Sequence, residues 1–204
     1  MTKKIFTVIT LTAVAITLTG CFWKKEIITS ESALPVLVTG GNTTEDVAEV
    51  QAPNDQPYTY IHKGKWFSFT LPAQRTFQEN AFGSLVMFFA PQAEGDKIKE
   101  NLGITTTELT GDINLTGFFE LSKGIAEGRT NNFKIEKEEA ITINGDNAMK
   151  IIYKGTDGEN KLEWQQVVLL KWTTAYEFTY TATEDTFDNL IDEVDTIINT
   201  FTIN

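Results

Sequence analysis

Very few side chains in this sequence could act as a catalytic base or nucleophile. The chain contains one histidine, His62, and one cysteine, Cys21. A serine or cysteine hydrolase needs a base beside its nucleophile, and Ser84 follows Gly83 without the surrounding pattern of a nucleophile elbow. His62 neighbours a Lys-Gly turn, so we interpret it as a histidine at a strand edge or on the surface. We therefore expect no catalytic site and no enzyme activity.

Metal and cofactor sites are not expected either. Zinc is held mainly by Cys and His side chains, and this chain offers one of each. The oxygen-rich segments 146–147 and 157–160 could attract Ca²⁺, but neither has the twelve-residue spacing of an EF-hand loop. Asn, Asp and Gly are the ordinary residues of tight turns. We predict turns at both segments, with no metal ion and no cofactor.

The first twenty residues have the pattern of a secretory signal. Lys3 and Lys4 give a positive start, and residues 5–18 form an uncharged, largely apolar run. That run is shorter than the about 20 residues of a membrane-spanning helix. A positive start, an apolar middle and small residues before the cleavage point are typical of secretion, so we expect residues 1–20 to be removed.

The residues that end this segment, Leu18, Thr19, Gly20 and Cys21, resemble the lipobox of bacterial lipoproteins. The resemblance implies cleavage before Cys21 and diacylation of its thiol, which would anchor the chain stably in a membrane. We therefore expect a lipoprotein of the cell envelope, with its folded part on the extracytoplasmic side.

Residues 21–57 have the composition of a flexible tether, rich in Ser, Thr, Gly, Asn and Pro. The apolar stretch 34–38 is either an unremarkable part of this linker or a strand that docks on the domain. The folded domain is expected over residues 58–204.

The charge balance excludes one class of partner. The chain has 17 Lys and Arg against 28 Asp and Glu, a formal net charge of −11, and loss of Lys3 and Lys4 would make the remainder more acidic. Nucleic acids attract proteins chiefly through their phosphates, so we expect no nucleic-acid binding. The charge should instead keep the domain soluble and away from an anionic membrane surface.

Periodicity predicts an α+β domain. Alternating residues predict a hairpin over 58–71, strands over 82–90 and 99–109, and a meander from Phe133 to Ala182 with turns at 144–147, 155–160 and 173–174. Apolar residues at helical spacing predict a helix from Leu115, capped by Asn114 or Thr116 and ended by Gly128. One side of the long strand would carry Leu162, Trp164, Gln166, Val168, Leu170 and Trp172.

A second, strongly amphipathic helix follows, predicted to be capped by Thr183 and to run to Ile198, before a short terminal strand at Phe201 and Ile203. Four acids share one face of it: Asp185, Asp188, Asp192 and Asp195. Acids near a helix C-terminus gain nothing from the helix dipole. This face is either a solvated surface or a docking site for a basic partner, and we name it as the candidate partner-binding face.

Several segments in order carry a family resemblance. They are Trp66-Phe67-Ser68-Phe69-Thr70-Leu71-Pro72, Ile143-Asn144-Gly145 with Ala148 and Tyr153, Thr179-Tyr180-Thr181-Ala182 with Phe187, and Ile197-Ile198-Asn199-Thr200-Phe201. From residue 66 to 203 the chain resembles the PsbP-like and DcrB-like superfamily, which includes a yeast nuclear-import factor that binds the Ran GTPase. The resemblance implies an α-β-α sandwich and a role in binding or assembly, without a shared catalytic triad.

Two functional hypotheses follow. The first is a lipid-anchored, non-catalytic binding or assembly module for an envelope protein partner, which would dock on the sheet or on the acidic helix. The second is a carrier of a small apolar ligand held between sheet and helix, with aromatic residues lining its pocket: Trp66, Phe88, Phe118, Trp164 and Trp172. The oligomeric state stays open.

Overall fold

The computed structural model describes residues 50–51, 56–62, 64–65, 67–92, 94, 96 and 98–203. Its strands are β1 (Val50–Gln51), β2 (Tyr58–His62), β3 (Phe67–Leu71), β4 (Thr76–Glu79), β5 (Val86–Phe89), β6 (Asn101–Glu108), β7 (Asn131–Ile143), β8 (Asp146–Asp157), β9 (Asn160–Lys171), β10 (Thr174–Thr183) and β11 (Thr202–Ile203), and its helices are α1 (Leu115–Arg129) and α2 (Phe187–Asn199). The predicted signal, lipobox, Cys21, apolar stretch 34–38 and Trp66 lie outside the described residues.

Eight strands form one antiparallel sheet in the order β1-β4-β5-β6-β10-β9-β8-β7, and β11-β3-β2 form a second, smaller sheet. The register places the end of β6, at Glu108, beside the start of β10, at Thr174. The turns after β7 and β9 lie at that same end, which we call the tip end. The turn after β8 and the segment after β10 lie at the opposite end, which we call the acidic end.

The two helices pack on opposite faces of the large sheet. The α2 face holds the larger core, to which Phe178 of β10, Val167 of β9, Ile197 of α2 and Phe69 of the small sheet contribute. The α1 face holds a second cluster that includes Phe119, Ile151 and Trp164. The prediction of an α+β, α-β-α sandwich is confirmed, because each face of the sheet is an alternating set of side chains covered by a helix.

The hairpin turns follow the predicted chemistry. Asn144 and Gly145 join β7 to β8 with φ values of 47° and 86°, the left-handed pair that makes Asn-Gly favourable in two-residue turns. Asn144 also donates from Nδ2 to the Phe201 carbonyl oxygen at 2.5 Å, which fixes the turn to the end of α2. The hairpin of β2 with β3 is likewise confirmed.

The strands before β6 differ from the prediction in two places. The strand predicted over 82–90 is shorter, because Phe82 and Gly83 have positive φ values of 52° and 78° in a turn, and β5 starts at Val86. The strand β4 before it was not predicted. Residues Val50–Gln51, assigned to the tether, pair with β4, so the paired region begins upstream of residue 58.

The second helix starts later than predicted. Thr186 stands at the N-cap of α2 without a side-chain hydrogen bond to the helix, and Thr183 bonds the Thr186 hydroxyl at 2.8 Å instead. Asp185 therefore lies in the turn before α2 and not on its face. By contrast, Asn114 caps α1 as expected, accepting a hydrogen bond from the Gly117 amide at 2.8 Å, whereas α1 continues through Gly128 to Arg129.

Trp172 is also displaced from its predicted role. It occupies the turn between β9 and β10, with a φ of 53°, and its side chain is 76% exposed. The remainder of the predicted row, from Leu162 to Leu170, does face α1. Among the described residues no helix combines the length and the apolar character needed to cross a bilayer.

Candidate functional site: a groove beside α1

An open groove runs along one side of α1. Its walls are the helix and the chain that joins β6 to the helix, and its volume is about 500 Å³. The lining is mainly apolar and includes Leu109, Ile113, Phe118, Leu121 and Ile125. The side chains of Ile113 and Leu121 are 39% and 52% exposed. Exposed apolar surface gathered in a concave site is typical of binding surfaces.

Two glycines of α1, Gly124 and Gly128, form part of the groove wall. A Cβ atom added at either position would meet nothing within 4 Å, so packing within the domain does not require glycine there. Glycine in a helix interior costs about 1 kcal/mol relative to alanine. These positions therefore lower helix stability and, in return, keep the helix backbone accessible from the groove.

A buried polar layer lies between α1 and the sheet. Glu177 of β10 is 5% exposed and accepts a hydrogen bond from the Ser122 hydroxyl of α1. Gln166 of β9 donates from Nε2 to that same hydroxyl at 2.8 Å. The hydroxyls of Tyr153 and Thr181 and Oε1 of Gln166 have no hydrogen-bond partner among the described protein atoms. The α1 face is thus more polar than the α2 face.

Burial controls the ionisation of this layer. Loss of hydration raises the pKa of Glu177 above the usual range of a glutamate, although the bonds from Ser122 and Gln166 and the charge of Arg129 oppose the rise. The pKa of Tyr153 is also raised by burial and by the nearby Glu177 carboxylate. The buried position of Glu177 was not predicted, because the residue lies between the core residues Tyr176 and Phe178 in an alternating strand. That pattern predicts a solvent-facing residue unless a helix covers the face.

The candidate partner-binding face on α2 is only partly free. Asp195 accepts a hydrogen bond from Gln165 Nε2 at 2.7 Å and pairs with Lys150 at 3.4 Å, so it helps to hold α2 on the sheet. Asp188 and Asp192 are exposed on the helix, and Asp185 is exposed before it. The structure thus separates the four acids into one packing residue and three surface residues.

The aromatic residues of the carrier hypothesis do not share one cavity. Phe88 belongs to the α2-side core, Trp164 stacks on Tyr153 at 5.2 Å between ring centroids, Trp172 is in a turn, and Phe118 alone of the described four lines the groove. Between α2 and the sheet the cavity measures about 20 Å³. An apolar ligand of several carbon atoms does not fit there.

His62 takes a packing role. Its ring stacks on Phe67 with centroids 4.8 Å apart, and Nδ1 accepts a hydrogen bond from the Lys65 amide at 3.1 Å. Within the described ranges, no three His, Cys, Asp or Glu side chains are grouped in a way that could hold a metal ion.

Comparison with known proteins places this domain in a family. The family model described as PsbP-like protein matches residues 44–203. The chain belongs to this family. The match includes β1, so the PsbP-like domain extends upstream of the boundary predicted from sequence. A search of curated proteins gave no match.

Solved structures support the fold. Cyanobacterial PsbP (CyanoP) from Synechocystis sp. PCC 6803 is 18% identical, with a TM-score of 0.57 over 74% of this chain and 95% of that chain. LpqN of Mycobacterium tuberculosis, described as involved in cell envelope biogenesis, is 15% identical, with a TM-score of 0.55 over 76% and 90%. A point mutant of the protein Mog1 is 7% identical, with a TM-score of 0.52 over 72% and 96%. At these identities the likeness concerns the fold.

Proposed function

We propose that this PsbP-like protein is a lipid-anchored, non-catalytic binding or assembly module of the cell envelope, and that a protein partner docks in the groove beside α1. The observation that carries the proposal is the groove wall at Gly124 and Gly128, where the domain accepts a cost in helix stability and leaves the backbone open. The family membership and the envelope role stated for LpqN support the same class of function.

A partner segment suits this groove better than a small molecule. The groove is open along its length, between the exposed side chains of Ile113 and Leu121, and it is bordered by charged groups at Glu108 and Arg129. An extended or helical segment can use such a shape because its own backbone approaches the glycines closely. Buried apolar contact then supplies the affinity, at about 25 cal/mol for each Å² removed from water.

The docking site is tested with the full chain expressed in bacterial cells. Crosslinking followed by mass spectrometry is applied to the wild type and to Gly124→Leu, which fills the groove. Thr116→Leu is the matched control, because it adds the same side chain at an exposed position on the other side of α1. We expect crosslinks from the α1 region to one partner in the wild type and the control, and their loss in Gly124→Leu.

Equal crosslinking in all three chains would refute the groove as the docking site. Copurification of lipid in place of a protein, lost in Gly124→Leu, would support the carrier hypothesis instead.

The anchor is tested separately. Cys21→Ser removes the only thiol in the chain, so we expect this variant to leave the membrane fraction and the wild type to stay in it. Retention of the Cys21→Ser variant at the wild-type level would refute lipidation at Cys21.

A further inference from the structure

Trp172 is an unfavourable residue type for its position, the first residue of the two-residue turn between β9 and β10, where hairpin geometry requires a positive φ. Its φ of 53° lies in the left-handed region that glycine adopts readily and bulky residues rarely adopt. Its side chain is 76% exposed, so it recovers little energy from packing. A large aromatic residue held in this way at a hairpin turn is available for contact with something outside the domain.

The tip end, where Trp172 lies, is also the end from which the chain enters the sheet. β1 is antiparallel to β4, β4 to β5 and β5 to β6. Since β6 runs toward the tip end, β1 runs away from it. The N-terminal side of Val50, which leads back toward Cys21, therefore faces the tip end.

Charge is distributed unevenly between the two ends. At the tip end the carboxylates of Glu108 and Asp146 are each paired with a lysine, at 2.9 Å to Lys65 and 2.7 Å to Lys171, and Asp112, next to Ile113, is exposed. At the acidic end the exposed carboxylates are Asp157, Glu159, Glu184, Asp185 and Asp188, of which Lys154 and Lys161 offset a part. Repulsion from anionic lipid therefore acts mainly on the acidic end.

Apolar side chains accompany Trp172 at the tip end. Ile113, in the chain before α1, is 39% exposed, and Ile61, near the end of β2, is 54% exposed. The backbone amide of Leu109 donates to the carbonyl oxygen of Thr173 at 2.7 Å, which ties the Trp172 turn to the chain leading to Ile113. Tryptophan is enriched at the boundary between hydrocarbon and headgroups.

We infer that the tip end contacts the surface of the bilayer, with Trp172 at the headgroup boundary and the acidic end directed away. This rests on the proposed lipid anchor, and it adds the orientation of the domain. The end of the groove at Ile113 then lies at the membrane, and the part along α1 toward Gly128 stays open to a protein partner.

The orientation is tested by photocrosslinking in cells that express the full chain. The photoreactive residue p-benzoylphenylalanine replaces Trp172 in one variant and Glu159 in the other. Glu159 is the matched control because it is an exposed residue in the turn between β8 and β9, at the acidic end. We expect lipid adducts, identified by mass, at least tenfold more abundant from position 172 than from position 159.

Each other outcome overturns the inference. Protein adducts without lipid adducts at position 172 would assign the turn to a protein interface. Equal lipid adducts at both positions, or none at either in a membrane-bound chain, would refute the orientation while leaving the anchor intact. A wild-type chain absent from the membrane fraction would refute both the anchor and the orientation.

Discussion

The close approach of α1 to the sheet at Gly155 yields a sharp prediction for Gly155→Ala. Gly155 lies in β8 where the chain leaves α1 and enters β7. An added Cβ would lie 2.7 Å from the Asn131 carbonyl oxygen and 3.5 Å from Cζ3 of Trp164, and it would overlap the methyl group of Thr130. Because one obstacle is a backbone atom, rotation of a side chain cannot relieve the overlap.

The expected cost is that of overpacking, about 1–3 kcal/mol, and the smaller unfolded-state entropy of alanine offsets up to about 1 kcal/mol of it. For a domain of this size the net loss corresponds to a fall in Tm of up to roughly 10 °C. Gly124→Ala is the matched control, since its Cβ meets nothing within 4 Å and alanine favours the helix by about 1 kcal/mol.

The assay is thermal and urea unfolding followed by circular dichroism, with the wild type and both variants under identical conditions. We expect Gly155→Ala to lie below the wild type and Gly124→Ala above it. A Gly155→Ala variant at least as stable as the wild type would show that the junction between α1 and β7 moves away from β8 without cost, and the reasoning from the close approach would fail.

Three further predictions use other contacts. Glu177→Gln should remove the part of the pH dependence of stability that arises from burial of Glu177. The pKa of this group is raised in the folded state. Its ionisation therefore destabilises the wild type increasingly as pH rises from the usual glutamate range through the folded-state pKa. The difference between the two urea-unfolding free energies should therefore grow with pH, and parallel profiles would contradict this. Arg75→Leu should lower the free energy of unfolding by about 1.5–3 kcal/mol, because Arg75 donates to both carboxylate oxygens of Glu193 on α2, at 2.7 Å and 2.6 Å. Lys65→Met removes a more exposed ion pair and should lower it by at most about 1 kcal/mol. Equal losses of stability in the two variants would refute the distinction. Trp172→Gly should leave the free energy of unfolding unchanged or raise it by up to about 1 kcal/mol. Relief of the left-handed φ is worth about 1–2 kcal/mol, and the greater unfolded-state entropy of glycine offsets part of that gain. A clear loss of stability would mean that the indole packs on the domain.

The sequence was most informative where local chemistry decides local structure. Asn144-Gly145 specifies a turn through its preferred backbone angles, and the apolar spacing from Phe187 to Ile198 specifies the stripe of α2. Both signals depend on neighbouring residues alone. Tyr176, Phe178 and Tyr180 alternate along β10 in the same way, and all three lie in the α2-side core.

The sequence was least informative where distant segments decide the environment. The local sequence predicts that Glu177 faces solvent, because its burial depends on α1, which is distant in sequence. The short strand β4 depends on pairing with β1 and β5 more than on its own composition. Trp172 continues the alternation of β9, so only the position of the turn, set by the pairing of Lys171 with Thr174, removes it from the sheet.

Under the proposed function, the two faces of the large sheet have different roles. The α2 face holds the larger apolar core. Asp195 fastens its helix to the sheet through Gln165, and Glu193 fastens it to Arg75, so changes there should lower stability without altering what the protein binds. The α1 face contains residues that lower the free energy of unfolding, namely the helix glycines and the buried Glu177. Selection for stability alone would replace them. Side chains can be added at Gly124 and Gly128 without steric obstruction, and they would stabilise the helix. We expect such stabilising substitutions along the groove to reduce partner binding. Substitutions under α2 that change stability by the same amount should leave partner binding unchanged.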